Sequence, residues 1–160
     1  MINLPDPGLY RTTQAMPGHE SEFPTGVLVF IGQPSNGGVK FIVRPGRNEN
    51  NRWFWGEPTT PLRSPSWAKT LKKLPPEGYY TLPRAIAFEN GGRWLENAIV
   101  QLGYNQEGRG IIFVAEQREG STDNALFFSS KGSIVDDAML NELRWAPILP
   151  ISKEQASSAT

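Results

Sequence analysis

The sequence contains no cysteine and only one histidine. Disulfides, thiolate metal sites and cysteine nucleophiles are therefore excluded, and so are metal sites built from several histidines. No segment approaches the ~20 consecutive apolar residues of a membrane-spanning helix. The first residues also lack the basic and apolar regions of a signal peptide. These absences predict a cytoplasmic protein with no membrane partner, no metal and no other cofactor.

Recognisable catalytic and cofactor-binding motifs are also missing from the chain. The glycine pairs at 37–38 and 91–92 do not stand between a strand and a helix, and no Gly-Lys-Ser/Thr follows them. His19 stands near Glu20 and Glu22, but in a polar segment flanked by proline and glycine that is typical of a surface loop. We therefore predict a protein without enzymatic activity and name no catalytic residue.

The formal net charge is zero, with 16 basic and 16 acidic residues, but the charges are unevenly distributed. Residues 1–80 carry nine lysines and arginines against six acidic residues, and residues 81–160 carry seven against ten. A balanced total argues against a strong non-specific binder of nucleic acid. The acidic half could instead neutralise the basic half within the molecule.

What the sequence does contain is an internal repeat. The apolar runs 26–32 and 38–43 recur as 97–103 and 110–115, and Pro7-Gly8-Leu9-Tyr10 recurs as Pro76-Glu77-Gly78-Tyr79-Tyr80. The period is about 70 residues, with the small drift that changes in loop length produce. We therefore predict a lead-in over 1–7, a first repeat over 8–77, a second over 78–151 and a disordered tail over 152–160.

Each repeat shows the same order of predicted elements. A strand is followed by a long loop, three strands, a helix and a closing strand. The predicted strands are 8–13, 27–31, 39–43 and 52–56 in the first repeat, and 77–82, 98–102, 111–115 and 125–129 in the second. Residues 45–51 are a predicted turn. The helices are expected at about 66–74 and about 135–143, and 146–151 is the predicted closing strand of the second repeat.

This order predicts an all-β protein and resembles that of an SH3-like barrel, so we expect a tandem of two small barrels. The nearly continuous apolar runs 27–31 and 39–43 are typical of strands covered on both faces. One alternative stays open at this point: the repeats could form a single pseudo-twofold barrel or sandwich rather than two separate barrels.

The predicted binding surface lies in the first repeat, where basic and aromatic side chains alternate. Tryptophan and tyrosine give large contact areas at low entropic cost, and aromatic grooves bind extended peptides. We expect a protein or peptide partner, with Tyr10 and the loop 16–23 contributing to the surface. The candidate binding residues are Tyr10, Arg44, Arg47, Arg52, Trp53, Trp55, Lys69, Lys72 and Lys73.

Two other ligands fit the same residues. Single-stranded nucleic acid could bind the basic aromatic segment 40–73 by phosphate neutralisation and base stacking. A small anion could bind in a cleft between the repeats, held by Arg44, Arg47 and Arg52. If the partner is a protein bound by the first repeat, we expect the second repeat to serve as a scaffold or as the surface of a homodimer.

Overall fold

The computed structural model describes residues 3–58, 60–89, 91–117, 120 and 125–147. The N-terminal half contains β1 (Gly8–Arg11), β2 (Leu28–Gly32), β3 (Phe41–Val43), β4 (Pro45–Glu49), β5 (Arg52–Trp55), β6 (Thr60–Pro61), α1 (Pro65–Ala68) and β7 (Lys72–Lys73). The C-terminal half contains β8 (Gly78–Thr81), β9 (Ile86–Ala87), β10 (Arg93–Trp94), β11 (Ile99–Tyr104), β12 (Gly110–Glu116), β13 (Phe127–Phe128), β14 (Ser133–Val135), α2 (Asp137–Glu142) and β15 (Arg144–Trp145). The predicted all-β class is confirmed.

Each half builds one larger antiparallel sheet. The N-terminal sheet has the order β6-β3-β2-β1-β7, and the C-terminal sheet has the order β13-β12-β11-β8-β15, with β14 also paired to β12. The hairpins β4–β5 and β9–β10 form two separate two-stranded sheets. The outermost described strands of each larger sheet do not pair with each other, so the predicted pair of SH3-like barrels is not confirmed.

The first strand of each sheet is held in the same way. The hydroxyl of Tyr10 donates to the carbonyl oxygen of Asp6 at 2.8 Å, and that of Tyr80 donates to the carbonyl oxygen of Pro76 at 2.6 Å. A two-residue strand that follows each helix pairs with that first strand, β7 with β1 and β15 with β8. The pairing pattern around β1 therefore matches the pattern around β8.

The two sheets enclose a shared core, so the halves do not have independent interiors. Leu9, Leu28 and Leu74 of the N-terminal half pack there with buried side chains of the C-terminal half. These are Tyr80, Leu82, Val100, Leu102, Tyr104, Ile112, Met139 and Leu140. The opposite face of the N-terminal sheet packs a second core against α1. Strand β2 is covered on both faces, as its continuous apolar run predicts.

Both helices are shorter than predicted. Helix α1 ends at Ala68, whereas the prediction continued to about residue 74. Lys72 and Lys73 form β7, which pairs with Arg11 and Tyr10 at the edge of the N-terminal sheet. A tertiary strand pairing thus overrides a short helical periodicity. Helix α2 begins after Asp136, whose carboxylate caps it by accepting the Met139 N–H at 2.8 Å.

The predicted turn 45–51 is wrong, because most of it is strand β4. This strand pairs with β5 around the two-residue loop Asn50–Asn51. Both asparagines have positive φ, 51° and 67°, which is the backbone of a hairpin turn twisted to match its strands. Strand β5 accordingly belongs to a projecting hairpin and does not join the N-terminal sheet.

Two predictions fall on other parts of the chain. Most of the predicted closing strand 146–151 and the tail 152–160 lie outside the described residues. Among the residues that are described, no helix has the length and apolar character needed to cross a membrane.

Candidate functional site

A groove of about 910 Å³ opens between the β4–β5 hairpin and the C-terminal sheet. Five aromatic residues line it, namely Phe30, Trp53, Phe54, Trp55 and Tyr79. Its charged lining residues are Glu49, Arg52 and Glu77. Concave sites with apolar walls and a few polar groups are the usual form of a ligand-binding site.

The tip of the hairpin rests on strand β11, and this contact sets one end of the groove. The side-chain amide of Asn51 donates to Gln101 Oε1 at 3.3 Å, and Gln101 Nε2 donates to the carbonyl oxygen of Asn50 at 3.3 Å. Gly103 makes the close approach possible, because a Cβ there would lie 3.0 Å from the backbone oxygen of Asn51. The hairpin is therefore docked on the sheet at its tip.

Two tryptophans anchor the middle of the hairpin. Trp53 Nε1 donates to the carbonyl oxygen of Tyr104 at 2.7 Å. The ring of Trp55 stacks on Phe30, with 5.2 Å between ring centroids and 23° between their planes. Both tryptophans are half-buried and pack against the shared core. Their rings thus form rigid walls of the groove.

The distinctive polar group of the groove is Glu77, which lies just before β8. Its Oε2 accepts the backbone N–H of Trp53 at 3.1 Å. Burial raises the pKa of Glu77 to about 7, although that hydrogen bond and the nearby Arg52 both lower it. Perturbed carboxyls in clefts are candidates for functional groups.

Three of the predicted binding residues meet at this groove: Arg52, Trp53 and Trp55. Arg47 lies beside it on β4, where it pairs with Glu49 at 3.0 Å and sits 4.9 Å from the centroid of Phe54. Arg44 turns away and donates through Nη1 to the carbonyl oxygen of Glu22 at 2.8 Å.

The predicted lysines are not part of this site. Lys72 Nζ lies 3.0 Å from Asp137 Oδ2, on α2 of the other half. Lys69 and Lys73 are exposed, at the end of α1 and on β7, and neither lines the groove. The basic segment 40–73 therefore does not form one continuous surface.

Tyr10 and the loop 16–23 require a correction. Tyr10 is 4% exposed, and Met16 and Phe23 are 4% and 0% exposed. All three pack in the core on the outer side of the N-terminal sheet, next to Trp67. The loop covers its own sheet because its two apolar side chains fill that core, so it offers no binding surface through them.

Sequence reasoning did not single out Glu77 or Gln101, two polar residues of the groove. Glu77 occupies the position of Pro7 in the other repeat and stood at the predicted boundary between repeats, where no pattern marks a site. The available signal was the Asn50–Asn51 pair, which favours a two-residue hairpin turn. A two-residue turn there predicts that residues 52–55 pair with 45–49 in a separate hairpin and not with the first sheet.

Comparison with known proteins adds no relative to this description. No family model matches the chain, and no curated protein or solved structure matches it at a significant level.

Proposed function

We propose that this protein is a non-enzymatic interaction module that binds an extended segment of a partner protein in the groove between the β4–β5 hairpin and the C-terminal sheet. The observation that carries the proposal is the groove itself, open to solvent and walled by preorganised aromatic rings. Rigid aromatic walls lower the entropic cost of binding and suit extended peptides. The proposed compartment is the cytoplasm, and a homodimer stays a prediction.

The alternative ligands are less well supported by the charges in the groove. Two carboxylates, Glu49 and Glu77, line it against one guanidinium, that of Arg52. Phosphate groups would lie close to the half-buried Glu77 carboxyl and far from most of the predicted lysines. Nucleic acid and small anions are therefore not the ligands we propose.

We also propose that the two halves are copies of one structural unit. Support comes from the sequence repeat and from the matching pairs β1–β2 with β8–β11 and β1–β7 with β8–β15. Gly8 and Gly78 even share the same unusual φ of 151° at the start of these strands. The groove then forms where the hairpin of the first unit meets the sheet of the second.

A displayed library of random peptides, selected on the immobilised protein, tests the binding function. Selected peptides would be synthesised and titrated against the wild-type protein, Tyr79→Ala and a control, Leu95→Ala. Leu95 is 58% exposed and does not line the groove. We expect at least a tenfold loss of affinity for Tyr79→Ala and none for the control. Peptides that bind both variants like wild type would place the binding surface elsewhere.

A further inference from the structure

Glu77 is held in place on both sides of its position in the chain. The hydroxyl of Tyr104 donates to the carbonyl oxygen of Pro75 at 2.6 Å, and that of Tyr80 donates to the carbonyl oxygen of Pro76 at 2.6 Å. Both tyrosines are buried in the shared core. The segment that carries the carboxylate is therefore fixed before any ligand arrives, which is what a recognition site requires.

Among the described residues, the Glu77 carboxylate has one oxygen that accepts no hydrogen bond. One oxygen, Oε2, accepts the Trp53 N–H, and within the described part of the chain no donor reaches the other. Arg52 is exposed and makes no ion pair with Glu77 among these residues, although its charge acts on the carboxyl. The other ionisable side chains nearby are Tyr104, behind the carboxyl in the core, and Tyr79 and Glu49, which line the groove.

The surroundings of this carboxylate favour a cation. The rings of Phe30, Trp53 and Trp55 line the same groove, and aromatic faces attract ammonium and guanidinium groups. The alkyl part of a lysine or arginine side chain can lie along such rings while its charged end reaches a carboxylate. A cation would also relieve the cost of ionising a half-buried carboxyl.

We propose that Glu77 is the ionic anchor of the groove and that the bound segment places a lysine or arginine side chain against it, between the aromatic walls. This inference rests on the proposed function and specifies its ligand. The partner is thus a protein with an exposed, extended and basic segment.

The probes are two capped pentapeptides, Ala-Pro-Lys-Pro-Ala and the same peptide with norleucine in place of lysine. Norleucine keeps the alkyl stem and lacks the ammonium group. Binding is followed by tryptophan fluorescence and by amide chemical shifts of the full-length protein. At pH 8 we expect the lysine peptide to bind at least tenfold more tightly than the norleucine peptide. In Glu77→Gln, which keeps the shape and the acceptor for Trp53, that difference should disappear.

The pH dependence gives a second readout. As the pH falls from 8 to 5, Glu77 becomes protonated while lysine stays charged, so the advantage of the lysine peptide should shrink in wild type. In Glu77→Gln the two peptides should bind equally at both pH values. Glu49→Gln is the matched control, since Glu49 also lines the groove but is exposed and paired with Arg47. It should keep most of the lysine preference.

The outcomes separate the two proposals. Equal affinity for both peptides, or a lysine preference that survives in Glu77→Gln, would overturn the ionic anchor and leave a peptide-binding groove. The anchor is also overturned if neither peptide binds at millimolar concentration while the random library still yields ligands sensitive to Tyr79→Ala. If the library yields no such ligand either, the peptide-binding function fails as well.

Discussion

Arg11 on β1 and Asp137 at the start of α2 form a two-point ion pair that joins the halves of the molecule. Arg11 Nη1 lies 3.0 Å from Asp137 Oδ1, and Nη2 lies 2.5 Å from Oδ2. The guanidinium is nearly buried and also donates to the carbonyl oxygen of Gly108 at 3.1 Å. Lys72 adds a second cation to the same carboxylate at 3.0 Å. Two basic residues of the N-terminal half are thus paired with an acidic residue of the C-terminal half inside the molecule.

Replacing Asp137 with asparagine should destabilise the protein, because an amide group would face two cations. Hydrogen bonds to charged groups contribute roughly 1.5–3 kcal/mol, so we expect a loss of about 2 kcal/mol in the free energy of unfolding at pH 7. Urea denaturation followed by tryptophan fluorescence measures it. The neighbouring Asp136→Asn is the control, because asparagine caps a helix as well as aspartate does. A similar loss in both variants would contradict the role of the ion pair.

Acid should weaken the same contact. The hydrogen bond from Arg11 lowers the pKa of Asp137 to about 2, from 3.8. A carboxyl whose pKa is depressed in the folded state stabilises the protein above its unfolded pKa, and this contribution is lost as the pH falls from about 4 towards 2. Urea denaturation at a series of pH values between 5 and 2 gives the free energy of unfolding at each pH. This free energy should fall more steeply with decreasing pH for wild type than for Asp137→Asn. Parallel curves would speak against it.

Glu77 should have the opposite effect. Its pKa is raised to about 7 from 4.5 by burial, so the folded state holds the proton more tightly than the unfolded state between these values. Stability conferred by the neutral form is lost as the pH rises through 7. We expect Glu77→Gln to raise the free energy of unfolding by about 1 kcal/mol at pH 8, allowing for partial exposure, and to change it little at pH 4.

The matched variant for this measurement is Glu49→Gln, whose carboxylate is exposed and should show no such pH dependence. Two-dimensional NMR of the glutamate carboxyl carbons would give the Glu77 titration directly. A midpoint near 4.5 would contradict the burial of this group.

Phe23 should behave as a core residue although it lies in a long loop. Its side chain is 0% exposed, and truncating a buried phenylalanine costs roughly 3–5 kcal/mol. Phe88, in the corresponding loop of the C-terminal half, is 38% exposed. Phe88→Ala should therefore cost much less in a thermal or urea denaturation. Comparable losses at the two positions would show that the loops are equally buried.

Gly103→Ala tests how the hairpin tip is docked. The new methyl group would lie 3.0 Å from the backbone oxygen of Asn51, so the hairpin must shift, at a cost of about 1–3 kcal/mol. Gly56→Ala is a suitable control, because its methyl would meet the nearest atom at 3.6 Å. We expect amide chemical-shift changes at Asn50 and Asn51, the hairpin tip, only for Gly103→Ala. Their absence would mean that the tip is not in contact with β11.

The sequence was sufficient to predict the strands that form the centres of the sheets. The runs around Val29 and Val100 are apolar for several residues, which is typical of strands buried within a sheet. Short segments at the edges were not predictable in the same way. Lys72 and Lys73 have no strand pattern of their own and become β7 only because β1 offers them a free edge.

The groove was predictable only in part, for a related reason. Trp53 and Trp55 are recognisable as candidate binding residues from their residue type. Glu77 acquires its raised pKa only through burial by groups that are distant in the chain. The hydroxyl of Tyr104 that fixes its segment belongs to a strand 29 residues away from Pro75. No local pattern records such an arrangement.

The shared core also determines when the molecule can fold during synthesis. Leu9 and Leu28 leave the ribosome early in synthesis. The side chains that cover them come largely from the C-terminal half, and the last of these in the chain is Leu140. The backbone N–H of Leu28 donates to the carbonyl oxygen of Gln106, so this hydrogen bond also cannot form until the C-terminal half has been synthesised. A nascent chain released only as far as residue 77 would therefore expose an apolar sheet face, and such intermediates aggregate readily. Completion of the N-terminal half depends on translation of almost the whole described chain.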